Sequence, residues 1–333
     1  MKKVTMLDIA NKAGVSKATV SMVLNKRDGN ISEETKSKVM ALAKEMNYIP
    51  NHLARSLSTK KTNTIGIVLP DITNPFFASI ARAIEDGASY LGYNVIFCNT
   101  DNEIKKEEKY IKVLISKLVD GVIFIAGGES CTSIKMLRNN NVPFVLVDRY
   151  IDSYKEDYGV YCLNKSGVIQ GIDYLYDKGK RNIAFVKGPD TLEISNQRLQ
   201  GYKCAMSQYG IYNENLIFKG SFNIEGGMDS TKILLESKEK IDAIFYSNDL
   251  MALGGIKVLL RNGIRIPQDI SIIGFDNIHI SQFIEPELTT IAQPIYEMGK
   301  ESCKLLIDII NNKRRLSKQV YFETQLIVRS TTL

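Results

Sequence analysis

The chain contains no tryptophan and only two histidines in 333 residues. Those histidines, His52 and His279, give a Ser-His-Asp arrangement little to work with. Five cysteines (98, 131, 162, 204 and 303) are scattered, with no C-x-x-C pair. Neither a disulfide framework nor a zinc site is expected, and a reducing cytoplasm fits. No run approaches the ~20 apolar residues that a membrane span needs, so no membrane partner is expected. The opening "MKKVTMLDIA" has two lysines but no apolar stretch behind them, so it does not read as a secretory signal. Neither G-x-G-x-x-G nor G-x-x-x-x-G-K-[ST] occurs, and no cysteine sits in a nucleophile context. The absences argue against an enzyme, and no cofactor or metal ion is expected.

What is present is ordinary in bulk and uneven in placement. Hydrophobic residues make up 44% and charged residues 24%, as in a globular protein long enough for two or three domains. Residues 1–61 hold 12 Lys+Arg against 5 Asp+Glu, a net +7, whereas the remaining 31 and 32 leave −1 for residues 62–333. A small basic head on a near-neutral body points to a polyanionic partner, nucleic acid or a membrane surface. The head lacks a broad lysine-lined apolar helix, which disfavours the membrane.

The head reads as three helices. "TMLD", Thr5 to Asp8, is a capping box, with Ile9, Ala10 and Ala13 on one face of the first helix. Gly14 stops it and Ser16 caps a second helix over "KATVSMVLN". Val20, Val23 and Leu24 form its inward stripe, Ala18 is weakly apolar, and Lys17, Thr19, Ser21 and Asn25 are left facing outward. Ser32 opens a third helix, with Val39, Leu42, Ala43 and Met46 on its buried side. Short helices joined by a glycine turn and buttressed by a third make a helix-turn-helix pattern, although a three-helix bundle that binds nothing shares it.

"VTMLDIANKAGVSKATVSMVLN" resembles the head of the LacI/GalR family of bacterial transcription repressors, and "YIPNHLARSLSTKKTNTIGIVLPD" continues as that family's hinge. The resemblance runs through essentially the whole chain. It implies that the second helix enters the major groove of palindromic operator DNA with Lys17 and Ala18 toward base edges. There Lys17 can donate to guanine O6 and N7, and Ala18 can offer only a methyl contact. Met22 lies where many relatives carry a polar base-reading residue. Thr19, Ser21 and Asn25 suit phosphate oxygens, and Thr5 and Ser16 are assigned to the same DNA face. Asn51 can cap a short hinge helix through Ala54, Arg55 and Leu57, too short to be stable alone in water. By the resemblance Leu57 wedges into the minor groove at the operator centre, with Arg55, Lys60 and Lys61 adding phosphate charge.

From Ile65 the texture changes. "TIGIVLPD", "YNVIFCNT", "DGVIFIAGG" and "PFVLVDR" are apolar strand candidates separated by helix-length amphipathic stretches, and "RNIAFVKGP", "IDAIFYSND" and "ISIIGFDN" repeat the theme. The pattern indicates parallel sheets covered on both faces, in two lobes, with "TTIAQP" and "YFETQLIVR" as crossover strands near their junction. The expected fold class is therefore α/β: a helix-turn-helix head over 1–50, a hinge helix and linker over 51–61, and a two-lobed periplasmic-binding-protein-like domain over 62–333. One lobe takes about 62–160 plus 293–320 and the other about 161–290 plus 321–330.

Open α/β sheets bind ligands at the carboxyl ends of their strands. The residues there are Asn74, Phe76 and Phe77, then Asp148 and Arg149, then Arg198, Phe222, Asn248 with Asp249, Asp276 and Gln293. Carboxylates and guanidiniums can grip adjacent hydroxyls, and phenyl rings can cover the C–H faces of a sugar ring. Each residue also has a plainer use: Asn74 and Asp249 as helix caps, Phe77 as core, Asp148 with Arg149 as a surface pair, Asp276 as a turn residue. Joint placement at strand ends favours a pocket. The series N-x-F-F, D-R, R, F, N-D, F-D, A-Q is similar to that of periplasmic ribose-binding proteins, and "FNIEGGMDS" resembles ribose-operon repressors. A further polar contact of that pattern, near Gly127 and Gly128, is missing. The resemblance implies a homodimeric repressor of sugar-utilisation genes, with ribose or a related pentose as effector. A phosphoprotein corepressor, a different sugar and a purine remain alternatives, and a sugar hydrolase using Asp148 and Asp276 is the remote one.

Overall fold

The computed structural model describes residues 4–25, 28–49, 61–125, 132–149, 156–313 and 317–332. The chain divides into a unit ending at Thr62 and a larger one from Asn63 onward. The hinge residues Asn51, Ala54, Arg55 and Leu57, like Lys60, Gly127 and Gly128, lie outside the described residues.

In the first unit α1 (Met6–Ala13), α2 (Lys17–Leu24) and α3 (Glu33–Glu45) close on one small core. The Thr5 backbone N–H donates to Asp8 Oδ2 at 2.8 Å and the Asp8 N–H donates to Thr5 Oγ1 at 3.3 Å, which makes the capping box. Gly14 ends α1 at φ 73°, a left-handed backbone that favours glycine. Ser16 and Ser32 cap α2 and α3 through the N–H groups of Thr19 and Thr35. Ile9, Ala10, Ala13, Val20, Val23, Val39 and Ala43 are buried together, with Leu24, Leu42 and Met46 packed around them.

The second unit holds two six-stranded sheets. Its strands are β1 (Thr64–Leu69), β2 (Asn94–Asn99), β3 (Gly121–Phe124), β4 (Phe144–Val147), β5 (Gly159–Cys162), β6 (Ile183–Lys187), β7 (Ile217–Lys219), β8 (Ala243–Tyr246), β9 (Ser271–Asp276), β10 (Thr289–Ala292), β11 (Gln319–Phe322) and β12 (Gln325–Ile327). The orders are β11-β5-β4-β3-β1-β2 and β12-β10-β9-β8-β6-β7, parallel throughout except where β12 meets β10. The helices are α4 (Pro75–Tyr90), α5 (Ile104–Ser116), α6 (Thr132–Asn139), α7 (Asn164–Asp177), α8 (Glu193–Gln208), α9 (Ile224–Glu236), α10 (Asp249–Arg261) and α11 (Ile295–Ile310).

Both faces of each sheet are covered, which explains the unbroken apolar strands. Along β1, Ile65, Ile67 and Leu69 pack toward α4 and α11, and Val68 packs the other way toward α5 and α6. In the second sheet, Val186, Ile244 and Ile272 face α9 and α10, and Phe185, Phe245 and Ile273 face α7 and α8. Among the described residues no helix is long and apolar enough to cross a membrane.

The chain passes between the sheets three times: from β5 into α7, from β10 into α11, and from β11 into β12. "YFETQLIVR" is thus two strands, one in each sheet. β5 and β11 carry the first sheet two residues beyond the expected changeovers at 160 and 320. β5 and β7 were absent from the expected strands. One spans four residues beginning with glycine and the other spans three, too short for a periodic signal.

Candidate effector pocket and DNA-reading face

Nine of the eleven residues expected at the strand ends line one cavity at the carboxyl ends of both sheets: Asn74, Phe76, Phe77, Asp148, Arg149, Arg198, Phe222, Asn248 and Asp276. The cavity leaves about 320 Å³ free of protein atoms, counting its mouth. Of the other two, Gln293 stands behind it and donates from Nε2 to Asp276 Oδ1 at 2.8 Å.

From the first sheet, Asn74 caps α4 by accepting from the Phe76 N–H at 3.0 Å, and Pro75 follows at a position that needs no donor. The cap directs Phe76 and Phe77 to the cavity, their rings edge-to-face at 5.2 Å. Past β4, Asp148 adopts φ 63° and Arg149 donates from Nη1 to Asn102 Oδ1 at 3.0 Å, its guanidinium 5.5 Å from the Phe77 ring centre. Both are buried, so they are not a surface pair.

From the second sheet, α8 supplies Arg198. Its Nε donates to Asn164 Oδ1 at 2.8 Å and its Nη1 to the Ser247 carbonyl at 2.5 Å, and Nη2 lies 3.5 Å from Asp276 Oδ1. The guanidinium lies 3.8 Å from the Phe275 ring centre and 5.8 Å from that of Phe222. Phe222 needs the bare backbone of Gly188, where a Cβ would come within 2.2 Å of its ring. Asn248 caps α10 through the Met251 N–H at 3.0 Å and donates to the Phe222 carbonyl at 3.0 Å. Asp276 ends β9 at φ 115°. Asp148, Phe222 and Asp276 thus hold left-handed backbone at one cavity, and such strain concentrates at functional sites.

The electrostatics are those of buried charge. Burial chiefly, with the negative charges of Asp249 and Asp148, pushes the Asp276 carboxyl up to about 8 against the pull of Arg198 and the Gln293 bond. Burial raises Asp148 too, opposed by Arg198 and Arg149. Arg149 is lowered by burial and held up by Asp148 and Glu107. Arg149 Nε and Gln293 Oε1 are buried with no hydrogen-bond partner among the described residues.

Sequence reasoning missed Ile194, which lines the cavity from α8, and the supports Asn102, Asn164 and Glu107. Asn164 opens the helix after the unforeseen β5, so nothing local marked it. Asp249 is neither cap nor wall. Asn248 does the capping, and Asp249 turns away, fully buried.

On α2 the exposed residues are Lys17, Ala18 and Met22, with Ser16 exposed at the cap. This corrects the expected outward set, because Thr19, Ser21 and Asn25 are half-buried. The row 18 and 22 is one helical turn long and lies away from Val20 and Val23. Thr19 Oγ1 shares a hydrogen bond with Ser16 Oγ at 2.9 Å, and Asn25 Nδ2 donates to the Ser21 carbonyl at 2.7 Å. Thr5 is exposed at the start of α1, and Lys61 is exposed near the end of the first unit.

Residues 5–51 match the family described as bacterial regulatory proteins, lacI family, and residues 172–332 match a periplasmic binding protein-like domain. The ribose operon repressor of Halalkalibacterium halodurans is 40% identical, over 98% of this chain and 97% of its own. The chain belongs to the LacI family. It is a transcriptional repressor of that family and not an enzyme. Two solved LacI-family structures bear on the site. The lac repressor dimer bound to operator and the anti-inducer ONPF superposes with a TM-score of 0.91 at 27% identity, covering 100% of both chains. A regulator from Enterococcus faecium with bound ribose gives 0.73 at 33% identity, covering 81% of this chain and 98% of its own.

Proposed function

We propose that this LacI-family repressor is a homodimer that binds a palindromic operator and is controlled by a small neutral sugar, ribose or a related pentose, held between its lobes. The observation that carries the reading is the convergence of nine separately expected residues on one cavity. The likeness to a ribose operon repressor and to a ribose-bound regulator supports the same choice. Phosphate is disfavoured because the helix N-termini at the rim are capped by Asn74 and Asn248, and Arg198 is already bonded to Asn164 and Ser247.

In this mechanism Phe76, Phe77 and Phe222 cover the ring faces. Asp148, Arg149, Arg198, Asn248 and Asp276 bond its hydroxyls, and Gln293 holds Asp276. The ligand touches both lobes at once, so it stabilises the conformation in which both contacts are made. Operator affinity falls if that conformation grips DNA poorly. Lys17, Ala18 and Met22 face the base edges, while Thr5, Ser16, Thr19, Ser21 and Asn25 serve the phosphates or brace the helix. The hinge residues Asn51, Ala54, Arg55 and Leu57 complete the operator contact.

Calorimetric titration with D-ribose, other pentoses, hexoses and purines, paired with operator binding at saturating ligand, tests this. A pentose that binds tightly and changes operator affinity is the expected result. A purine alone doing so would replace the sugar. No response to any of them would favour a protein corepressor.

A further inference from the structure

Asp249 is the most completely bonded carboxylate near the pocket, yet it does not line the cavity. Its Oδ2 accepts from the Ile278 backbone N–H at 2.9 Å and from Ser281 Oγ at 2.8 Å, and its Oδ1 accepts from Thr290 Oγ1 at 2.6 Å. None of these partners lies on its own helix. They lie 29, 32 and 41 residues away, in the segment that follows β9. Thr290 Oγ1 also accepts from the Asn277 N–H at 3.3 Å, so both residues after Asp276 are tied back to this one side chain. The turn they form is strained, with Asp276 at φ 115° and Asn277 at φ 56°. Arg329 braces its outer side, donating from Nη2 to Asn277 Oδ1 at 2.7 Å. Space is kept for the carboxylate by Gly274, where a Cβ would lie 2.2 Å from Asp249 Oδ1.

We infer that Asp249 is a positioning residue for the effector pocket, its carboxylate clamping the turn that presents Asp276 to the cavity. The functional half of the inference rests on the sugar reading above. The positional half does not. The helix needs no second cap, so helix formation does not account for three charge-assisted bonds to a distant segment. The charged and titratable groups around Asp276 are Arg198, Asp148, Asp249 and Cys162, with Gln293 bonded to it. Of these, Asp249 adds negative charge without reaching the ligand space. Removing it loosens the turn and also makes Asp276 easier to ionise.

The test compares the full-length protein with Asp249→Asn, which keeps the size and removes the charge. Because that change introduces an amide among three donors and can impair folding, Ser281→Ala removes one bond to the carboxylate and Thr290→Val removes two, that to Asp249 and that from the Asn277 N–H, and both leave the carboxylate in place. Three readings are taken: D-ribose affinity by calorimetry, amide exchange at Asn277 and Ile278, and the titration of the Asp276 carboxyl by carbon NMR of ligand-free protein. The expected result for Asp249→Asn is at least tenfold weaker ribose binding, at least tenfold faster exchange at both amides, and an Asp276 midpoint below its wild-type value. Operator affinity without sugar should stay within twofold. Thr290→Val should speed exchange at Asn277 without lowering the Asp276 midpoint. Unchanged exchange and an unchanged Asp276 midpoint in Asp249→Asn would overturn the inference. If wild-type protein ignores D-ribose, the sugar reading falls, and the exchange and titration data still decide whether Asp249 holds Asp276.

Discussion

Replacing Arg198 by methionine keeps an apolar stem and removes the guanidinium. The wild-type side chain is buried, with Asn164, Ser247 and Asp276 as its polar neighbours. Removing one member of a buried pair costs about 3–5 kcal/mol, because the other charge stays behind. With its carboxyl near 8, Asp276 is mostly protonated at pH 7, so the low end, about 3 kcal/mol, applies there. The pH dependence sharpens this. A carboxyl raised from 3.8 to about 8 gives stability that is fully present below 3.8 and declines as pH rises, because the unfolded chain ionises first. The decline is about 1.4 kcal/mol per pH unit, and in wild type it ends near pH 8. Without the guanidinium, Asp276 keeps its proton to higher pH and the decline continues. The gap between variant and wild type therefore widens from about 3 kcal/mol at pH 7 to about 4 kcal/mol at pH 9. Urea denaturation followed by circular dichroism at the two pH values measures it. A gap that is equal or smaller at pH 9 would refute the claim that Arg198 is what lets Asp276 ionise.

Three further outcomes follow from the geometry. Gly227→Ala places a Cβ 2.1 Å from the Met251 carbonyl oxygen and forces α9 off α10, so stability should fall by about 1–3 kcal/mol, visible as a lower urea midpoint. Ser16→Ala removes the α2 cap and should cost the first unit about 1 kcal/mol, with weaker operator binding; an unshifted melting curve for the head would contradict it. Lys17→Ala should weaken operator binding by about 1–3 kcal/mol and relax preference at one base pair. A loss equal on all sequences, read by fluorescence anisotropy, would place Lys17 on phosphate instead.

Local chemistry made much of this legible. Thr5, Gly14, Ser16 and Ser32 announce three helices, because a cap is a short-range bargain between a side chain and nearby N–H groups. The long parallel strands are legible because burial on two faces leaves them apolar throughout. Two things were hidden. Short strands such as β5 and β7 borrow their stability from neighbours and carry no period of their own. The supports of the pocket, Asn102, Asn164 and Glu107, are polar residues whose roles depend on where distant Arg149 and Arg198 come to rest. Asp249 shows the same limit: beside Asn248 in sequence it looks like a cap, and only the folded chain brings Ser281 and Thr290 to it.

Because the polypeptide threads to and fro between the sheets, neither lobe is a continuous stretch of sequence. α11, which covers one face of the first sheet, and the edge strands β11 and β12 all come from the last forty or so residues. During synthesis the first lobe must therefore wait, with only α4 over one of its apolar faces, until the chain has been made past α11. A messenger cut short near residue 290 would release a product whose Ile67 and Ile123 have lost their Leu306 side of the core. Such a fragment invites aggregation or proteolysis, although every strand of the first sheet except β11 would already have been made.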